Sequence, residues 1–193
     1  MHHPPPAPPI PDVQSALNDL REVVISEQRL QERIAELAAE ISLEYAGREL
    51  VLVNVLKGGV IFLADLMRRL TVASRLELVG ASSYKGDQAP HPDVRITKDV
   101  DQNLRGRHVL LVEDIYDTGS TMHVVHDLLK LHRPASLEIC TLLRKRKERS
   151  FHVPIKYVGF EIEDAYVVGY GLDFKEQYRY LPCIGILKPE LCA

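Results

Sequence analysis

Three carboxylates lie close together in the segment Val109-Leu-Leu-Val-Glu-Asp-Ile-Tyr-Asp-Thr-Gly-Ser-Thr121: Glu113, Asp114 and Asp117. Acids at this spacing repel one another, so their ionised forms call for a cation or a hydroxyl-rich ligand among them. Thr118-Gly119-Ser120-Thr121 follows at once and opens a helical pattern. Such a turn offers free backbone N–H groups, hydroxyls and the positive end of a helix dipole, the ingredients of a phosphate cradle. A solvated turn with an ordinary hydroxyl cap would use the same four residues. The acid pair standing at the end of an apolar run favours the ligand site.

Two further basic positions stand at strand ends. Lys57-Gly58-Gly59 interrupts an apolar run and can bring a cation and bare backbone amides to a diphosphate. Lys145 belongs to Arg144-Lys145-Arg146-Lys147, which by itself reads as a solvated basic face. His123 and His126 have the spacing of a helical metal pair but no third ligand, so they are expected on a helix surface.

The elements that must position these groups alternate. Ser26 with Glu27 and Gln28 reads as a helix start, Leu30, Ile34, Leu37 and Ile41 as its apolar face, and Gly47 as its stop. Leu50 to Leu56 reads as a buried strand and Val60 to Leu70 as a helix. Leu76 to Ser83 and His108 to Val112 read as strands, with a long loop from Lys85 to Gly106 between them. Ser120 to Leu131 is helical, and Leu137–Leu143, Tyr157–Ile162 and Tyr166–Tyr170 are strand candidates. Alternating strands and helices predict an α/β fold with a largely parallel twisted sheet flanked by helices. Ligands of such sheets gather at the carboxyl ends of the strands, where the residues above fall.

Composition narrows the function classes. The chain has 193 residues, 46% hydrophobic and 26% charged, which predicts one domain over residues 12–193. Six of its 12 prolines fall within residues 1–11, which predicts a disordered or polyproline-like tail. With 24 Lys+Arg against 27 Asp+Glu, the chain lacks the basic surplus of a nucleic-acid coat. No apolar run is long enough to span a membrane, and the first residues lack the apolar core of a secretory signal. Three cysteines without CxxC spacing suit a reducing compartment, so a cytoplasmic protein is expected.

The segment Val109–Thr121 resembles the phosphoribosyl-diphosphate (PRPP) binding motif of the type I phosphoribosyltransferases. Other segments narrow the likeness to the hypoxanthine-guanine phosphoribosyltransferases, particularly the short bacterial kind. Leu56-Lys57-Gly58-Gly59 resembles their pyrophosphate loop and implies a cis peptide between Leu56 and Lys57. Ser83-Tyr84 resembles the start of their mobile lid. Cys140-Thr-Leu-Leu-Arg-Lys145 resembles the strand carrying the purine-reading lysine. Val158-Gly-Phe-Glu-Ile162, Tyr166-Val-Val-Gly-Tyr-Gly-Leu-Asp173 and Tyr178-Arg179 resemble the base-binding hood with its metal and pyrophosphate contacts. The likeness runs from about Val13 to about Lys188, with the motifs in order.

The resemblance implies a type I phosphoribosyltransferase fold with a small hood over the base site. It implies an enzyme that joins hypoxanthine or guanine to PRPP, giving IMP or GMP and pyrophosphate. Purine N9 would attack C1 of the ribose while Asp117 accepts a proton from N7. Glu113 and Asp114 would meet the ribose hydroxyls and help hold magnesium, and Thr118, Gly119, Ser120 and Thr121 the 5′-phosphate. Lys57, Gly58 and Arg179 would neutralise the departing diphosphate. Lys145, a donor with no acceptor capacity, would read a 6-oxo group. Tyr166 would stack on the base, although the family more often has phenylalanine there, so its hydroxyl needs a partner. Backbone atoms of Val167 would meet the ring edge. Asp173 would contact Mg²⁺ through water, because magnesium keeps much of its hydration. Homodimers or homotetramers are implied. Two other classes compete: a phospho-accepting receiver module, which would carry its acid pair near the N-terminus, and an RNA-binding regulator of the same fold, which the mildly acidic balance disfavours.

Overall fold

The run Leu50–Leu56 is buried except at its last residue, and its alternate side chains serve two different cores. Leu50 and Leu52 pack on one side, Val51, Val53 and Val55 on the other. The same division applies to Leu110 and Val112 against Val109 and Leu111. A strand apolar on both faces belongs in the middle of a sheet covered on both sides.

The computed structural model describes residues 10–84, 93–149 and 151–192. The proposed proline-rich tail lies outside these apart from Ile10 and Pro11. In chain order the elements are α1 (Val13–Asn18), β1 (Leu20–Ile25), α2 (Glu27–Glu44), β2 (Leu50–Leu56) and α3 (Val60–Met67). They continue as β3 (Ser74–Tyr84), β4 (Asp93–Lys98), β5 (His108–Tyr116), α4 (Ser120–Leu131), β6 (Ser136–Lys145), β7 (Tyr157–Ile162) and β8 (Ile184–Leu187), and a 3₁₀ turn (Pro189–Leu191). Six strands form the main sheet in the order β4-β3-β2-β5-β6-β7. All its pairings are parallel except β3 with β4. Helices α2 and α3 cover the first core and α4 the second.

Ser26 caps α2 as its sequence predicts, its hydroxyl accepting from the Arg29 N–H at 3.4 Å. Strands β1 and β8 pair antiparallel as a separate small sheet. With α1 and the bridge between Val168 and Gly185 they form a hood around Ala16, Leu20, Val168, Tyr178 and Leu181. No described helix is long and apolar enough to cross a membrane.

Four expectations are corrected. The loop predicted over Lys85–Gly106 contains β4, an edge strand antiparallel to β3. Its Val94 and Ile96 are half-buried while Arg95 and Thr97 are exposed, a short period-two pattern obscured by flanking prolines and charges. Tyr166–Tyr170 is not a strand but makes only isolated bridges at Val168 and Gly169, because the backbone turns through positive φ at Gly169, Tyr170 and Gly171. His126 is buried rather than on the helix surface, and His123 stacks on Phe151 with ring centroids 5.1 Å apart. The expected helix Val60–Leu70 ends earlier, at Met67.

Candidate active site

Parallel register brings the ends of β2, β5 and β6 side by side. Asn54 pairs with Val112, and Glu113 with Thr141, four residues before Lys145. Buried Asn54 ties the first two strands together beneath the site, its amide donating to the Val112 carbonyl at 2.8 Å. Two adjoining cavities open above these ends and share Gly58, Asp114 and Asp117. One, of about 250 Å³, is lined by Glu113, Thr118, Gly119 and Thr121. The other, of about 320 Å³, is lined by Lys57, Lys145, Tyr166, Val167, Asp173 and Arg179.

The first cavity is shaped by its acids and its helix end. Burial, and then the neighbouring Asp114 charge, push Glu113 well above the usual carboxylate range. Burial likewise raises Asp114 to about 6, although its carboxylate accepts from the Ile115 N–H at 2.8 Å. Asp173 adds its own repulsion to Asp114 across the cleft. Gly58 packs so tightly that a Cβ there would stand 1.8 Å from Asp114 Oδ2. Gly119 is the N-cap of α4, with φ of 86° and no side-chain cap on the helix N-terminus. A Cβ at Gly119 would also lie 2.4 Å from the Phe151 carbonyl oxygen, so only glycine makes this turn. Ser120 is buried, and its N–H reaches the Thr118 hydroxyl at 3.4 Å.

The second cavity holds paired charges. Lys145 is 7% exposed, with Nζ 3.0 Å from Asp117 Oδ2 and 3.3 Å from Asp164 Oδ1. Burial pushes the Asp117 carboxyl upward, but Lys147 and Lys145 together outweigh it and hold it below the usual range. Lys57 Nζ lies 3.0 Å from Glu176 Oε2. Arg179 is closed on Asp173 at 2.8 Å and on Glu176 at 3.3 Å, while its Nε is buried with no hydrogen-bond partner among the described residues. Tyr166 is exposed and meets Phe174 edge-on, and its hydroxyl donates to the Asp173 carbonyl at 2.8 Å. That bond is the partner the tyrosine required. Val167 is buried beside it. The peptide Leu56–Lys57 is cis. Ser83 and Tyr84 end β3, where they pair with Val94 and Asp93, while Lys85–Gln88 lie outside the described residues.

The donors fit magnesium by type. Glu113, Asp114 and Asp173 are hard oxygen ligands along the two adjoining cavities, and burial raises the first two, in Asp114 against the opposing pull of Arg179. Among the described residues no group of three metal-ligating side chains converges. Magnesium suits this, because it takes one or two carboxylates and completes its shell with water and substrate oxygens.

The family model for the phosphoribosyl transferase domain matches residues 25–175. The chain belongs to this family. It is 45% identical over 166 residues to the hypoxanthine phosphoribosyltransferase of Escherichia coli K12, covering 85% of this chain and 93% of that protein. Its identity to the Haemophilus influenzae hypoxanthine phosphoribosyltransferase is 47% over 167 residues, with the same coverage. A crystal structure of a hypoxanthine phosphoribosyltransferase from Staphylococcus aureus matches with a TM-score of 0.88 at 41% identity, covering 93% of this chain and 97% of that one.

This phosphoribosyl transferase domain uses residues at its site that sequence reasoning passed over: Lys147, Arg149, Asp164 and Glu176. Arg149 Nε donates to the Asp117 carbonyl at 3.0 Å and Nη1 to the Lys147 carbonyl at 3.1 Å. Nη2 reaches the Lys145 carbonyl, and the guanidinium lies 4.3 Å from the Tyr116 ring centroid. One planar fork thus ties the end of β5 to the loop after β6. Removing it leaves several carbonyls unpaired, so Arg149→Ala is expected to lower stability by roughly 2 kcal/mol. Arg149→Lys should recover little, because an ammonium cannot span the same carbonyls. Urea unfolding checks both, and an unchanged midpoint for Arg149→Ala would refute the tie.

Proposed function

We propose that this protein transfers the 5-phosphoribosyl group from PRPP to hypoxanthine or guanine, giving IMP or GMP and pyrophosphate in purine salvage. The observation that carries the reading is the buried Lys145 ammonium in a cavity it shares with Asp114, adjoining the one that Glu113 lines together with the cradle that opens α4. A fixed donor for a 6-oxo group, adjacent acids for a ribose diol and an uncapped helix start for a phosphate are what the two substrates require.

In this reading Thr118, Gly119, Ser120 and Thr121 bind the 5′-phosphate, and Glu113 and Asp114 accept hydrogen bonds from the ribose hydroxyls. Tyr166 stacks on the purine, Val167 meets its edge through the backbone, and Lys145 donates to O6. Asp117 accepts the N7 proton as N9 attacks C1 through an oxocarbenium-like transition state. Lys57, the Gly58 backbone and Arg179 receive the negative charge that builds on the leaving diphosphate. Asp173, with Glu113 and Asp114, would hold magnesium, which supplies neutralisation of the diphosphate when bound. Ser83 and Tyr84 begin the lid that excludes water. The same reading carries a cytoplasmic enzyme working as a homodimer or homotetramer, and exposed Val60 and Met67 on α3 offer apolar surface for such contacts.

Pyrophosphate release from PRPP, with magnesium and each of several bases in turn, tests the proposal. Release that depends on hypoxanthine or guanine is the expected result. Release with neither base would overturn it.

A further inference from the structure

We propose that Lys147 is a positioning residue for this reaction: it keeps the Asp117 carboxylate paired and in place while Lys145 turns to the purine. The inference rests on the reading of Asp117 and Lys145 given above.

The two oxygens of Asp117 are held by different lysines. Oδ2 accepts from Lys145 at 3.0 Å, and Oδ1 forms a close ion pair with Lys147. Asp164 Oδ1 lies 3.3 Å from both ammonium groups. The four side chains therefore make a ring of alternating charge in which each cation touches both anions. Arg149 completes the surroundings of Asp117, donating to its backbone carbonyl rather than to its carboxylate.

Two carboxylates face the Lys145 ammonium in this ring, and aiming its remaining N–H at a 6-oxo purine requires the group to reorient. An ammonium has three donors in a fixed tripod, so turning one toward the base weakens its hold on a carboxylate. Without another cation, half-buried Asp117 would then sit in the cleft with its charge poorly compensated. Lys147 is built to remain: its carbonyl is fixed by Arg149 at 3.1 Å, and its side chain is more exposed than that of Lys145. Lys147 and Lys145 both hold the Asp117 carboxyl down, each through a hydrogen bond and through its charge. Sequence alone places it in a basic run with no mark of function. Structure folds that run back over Asp117.

The arrangement has a measurable consequence. A second cation keeps Asp117 anionic at lower pH. Removing it lets the carboxyl rise, so protonation disables the acceptor at a higher pH than in the parent. The acidic limb of kcat/KM for hypoxanthine is expected to move upward by about one pH unit in Lys147→Met and Lys147→Gln. KM for PRPP should stay within about twofold, since no phosphate contact is touched. Lys147→Arg, which restores a cation, should return the limb to its parental position. Circular dichroism identifies a variant that has not folded, and either neutral variant suffices for the comparison. A limb unmoved in a folded neutral variant overturns the proposal, as does a shift in Lys147→Arg as large as that in Lys147→Met. A parent whose pyrophosphate release depends on neither hypoxanthine nor guanine overturns the functional reading itself, whereas an active parent with unmoved variants overturns only the role of Lys147.

Discussion

Asp117→Asn is expected to bind PRPP nearly as well as the parent and to turn over roughly 100- to 10,000-fold more slowly, the span of a single positioned acid or base. Asp117 lies beyond the Glu113–Asp114 pair and before the phosphate cradle, on the line between the two cavities. Its carboxylate is paired with Lys145, which lines the second cavity. Asparagine keeps the shape and a carbonyl acceptor for Lys145. It surrenders the negative charge, and with it the capacity to take the N7 proton. Single-turnover rates at saturating PRPP and hypoxanthine, alongside PRPP titrations, separate chemistry from binding. Comparable single-turnover rates for the two proteins would remove Asp117 from the role of proton acceptor.

Adenine is expected to be a very poor substrate, by roughly 10,000-fold or more against hypoxanthine and guanine. Sites built to hydrogen-bond one substrate group reject the analogue lacking it on this scale. Lys145 is 7% exposed and presents only donors, so a 6-amino group would face an ammonium and leave it without an acceptor from the base. Lys145→Gln, whose amide donates or accepts, should weaken use of 6-oxo purines and narrow the gap to adenine. The substitution also removes one of the two cations from Asp117, so a fall in kcat for all bases will accompany the loss of selectivity. The ratio between bases therefore carries the test, measured as kcat/KM on both proteins with saturating PRPP and magnesium. A parent that uses adenine as well as guanine, or ratios unmoved by Lys145→Gln, would make Lys145 a structural cation and leave the base reader unidentified.

What was legible in the sequence follows from how strongly each element is buried. β2 and β7 match their expected bounds residue for residue, as does α4. β2 is an apolar run enclosed on both faces, and α4 carries its buried Met122, Val125 and Leu129 at helical spacing. The hood was less readable. β1 spends three exposed residues, Arg21, Glu22 and Val23, in a two-stranded sheet, and β8 has only four residues. Neither sets up a pattern long enough to stand out from loop. At the site, each residue at the end of a parallel strand was findable, because strand ends announce themselves as breaks in apolar runs. Asp164 and Glu176 were not. Their partners are Lys145, Lys147, Lys57 and Arg179, brought to them by chain folding that no local spacing encodes. Arg149 and Lys147 were hidden differently, inside a basic stretch whose composition is that of ordinary solvated surface.

The end of the cleft proposed to receive diphosphate is lined by paired charges. Lys57 and Arg179 supply two positive charges, and Asp173 and Glu176 supply two negative ones within 3.3 Å of them. These four side chains therefore balance one another in charge. An anion entering here competes with carboxylates already seated on the same cations, so it must carry more charge than a stray monovalent ion to displace them. Displacement in turn frees Asp173, and an extra positive charge is then needed to restore neutrality. In the proposed reading, a polyanion that arrives with a divalent counter-ion would disturb this balance less than the polyanion alone.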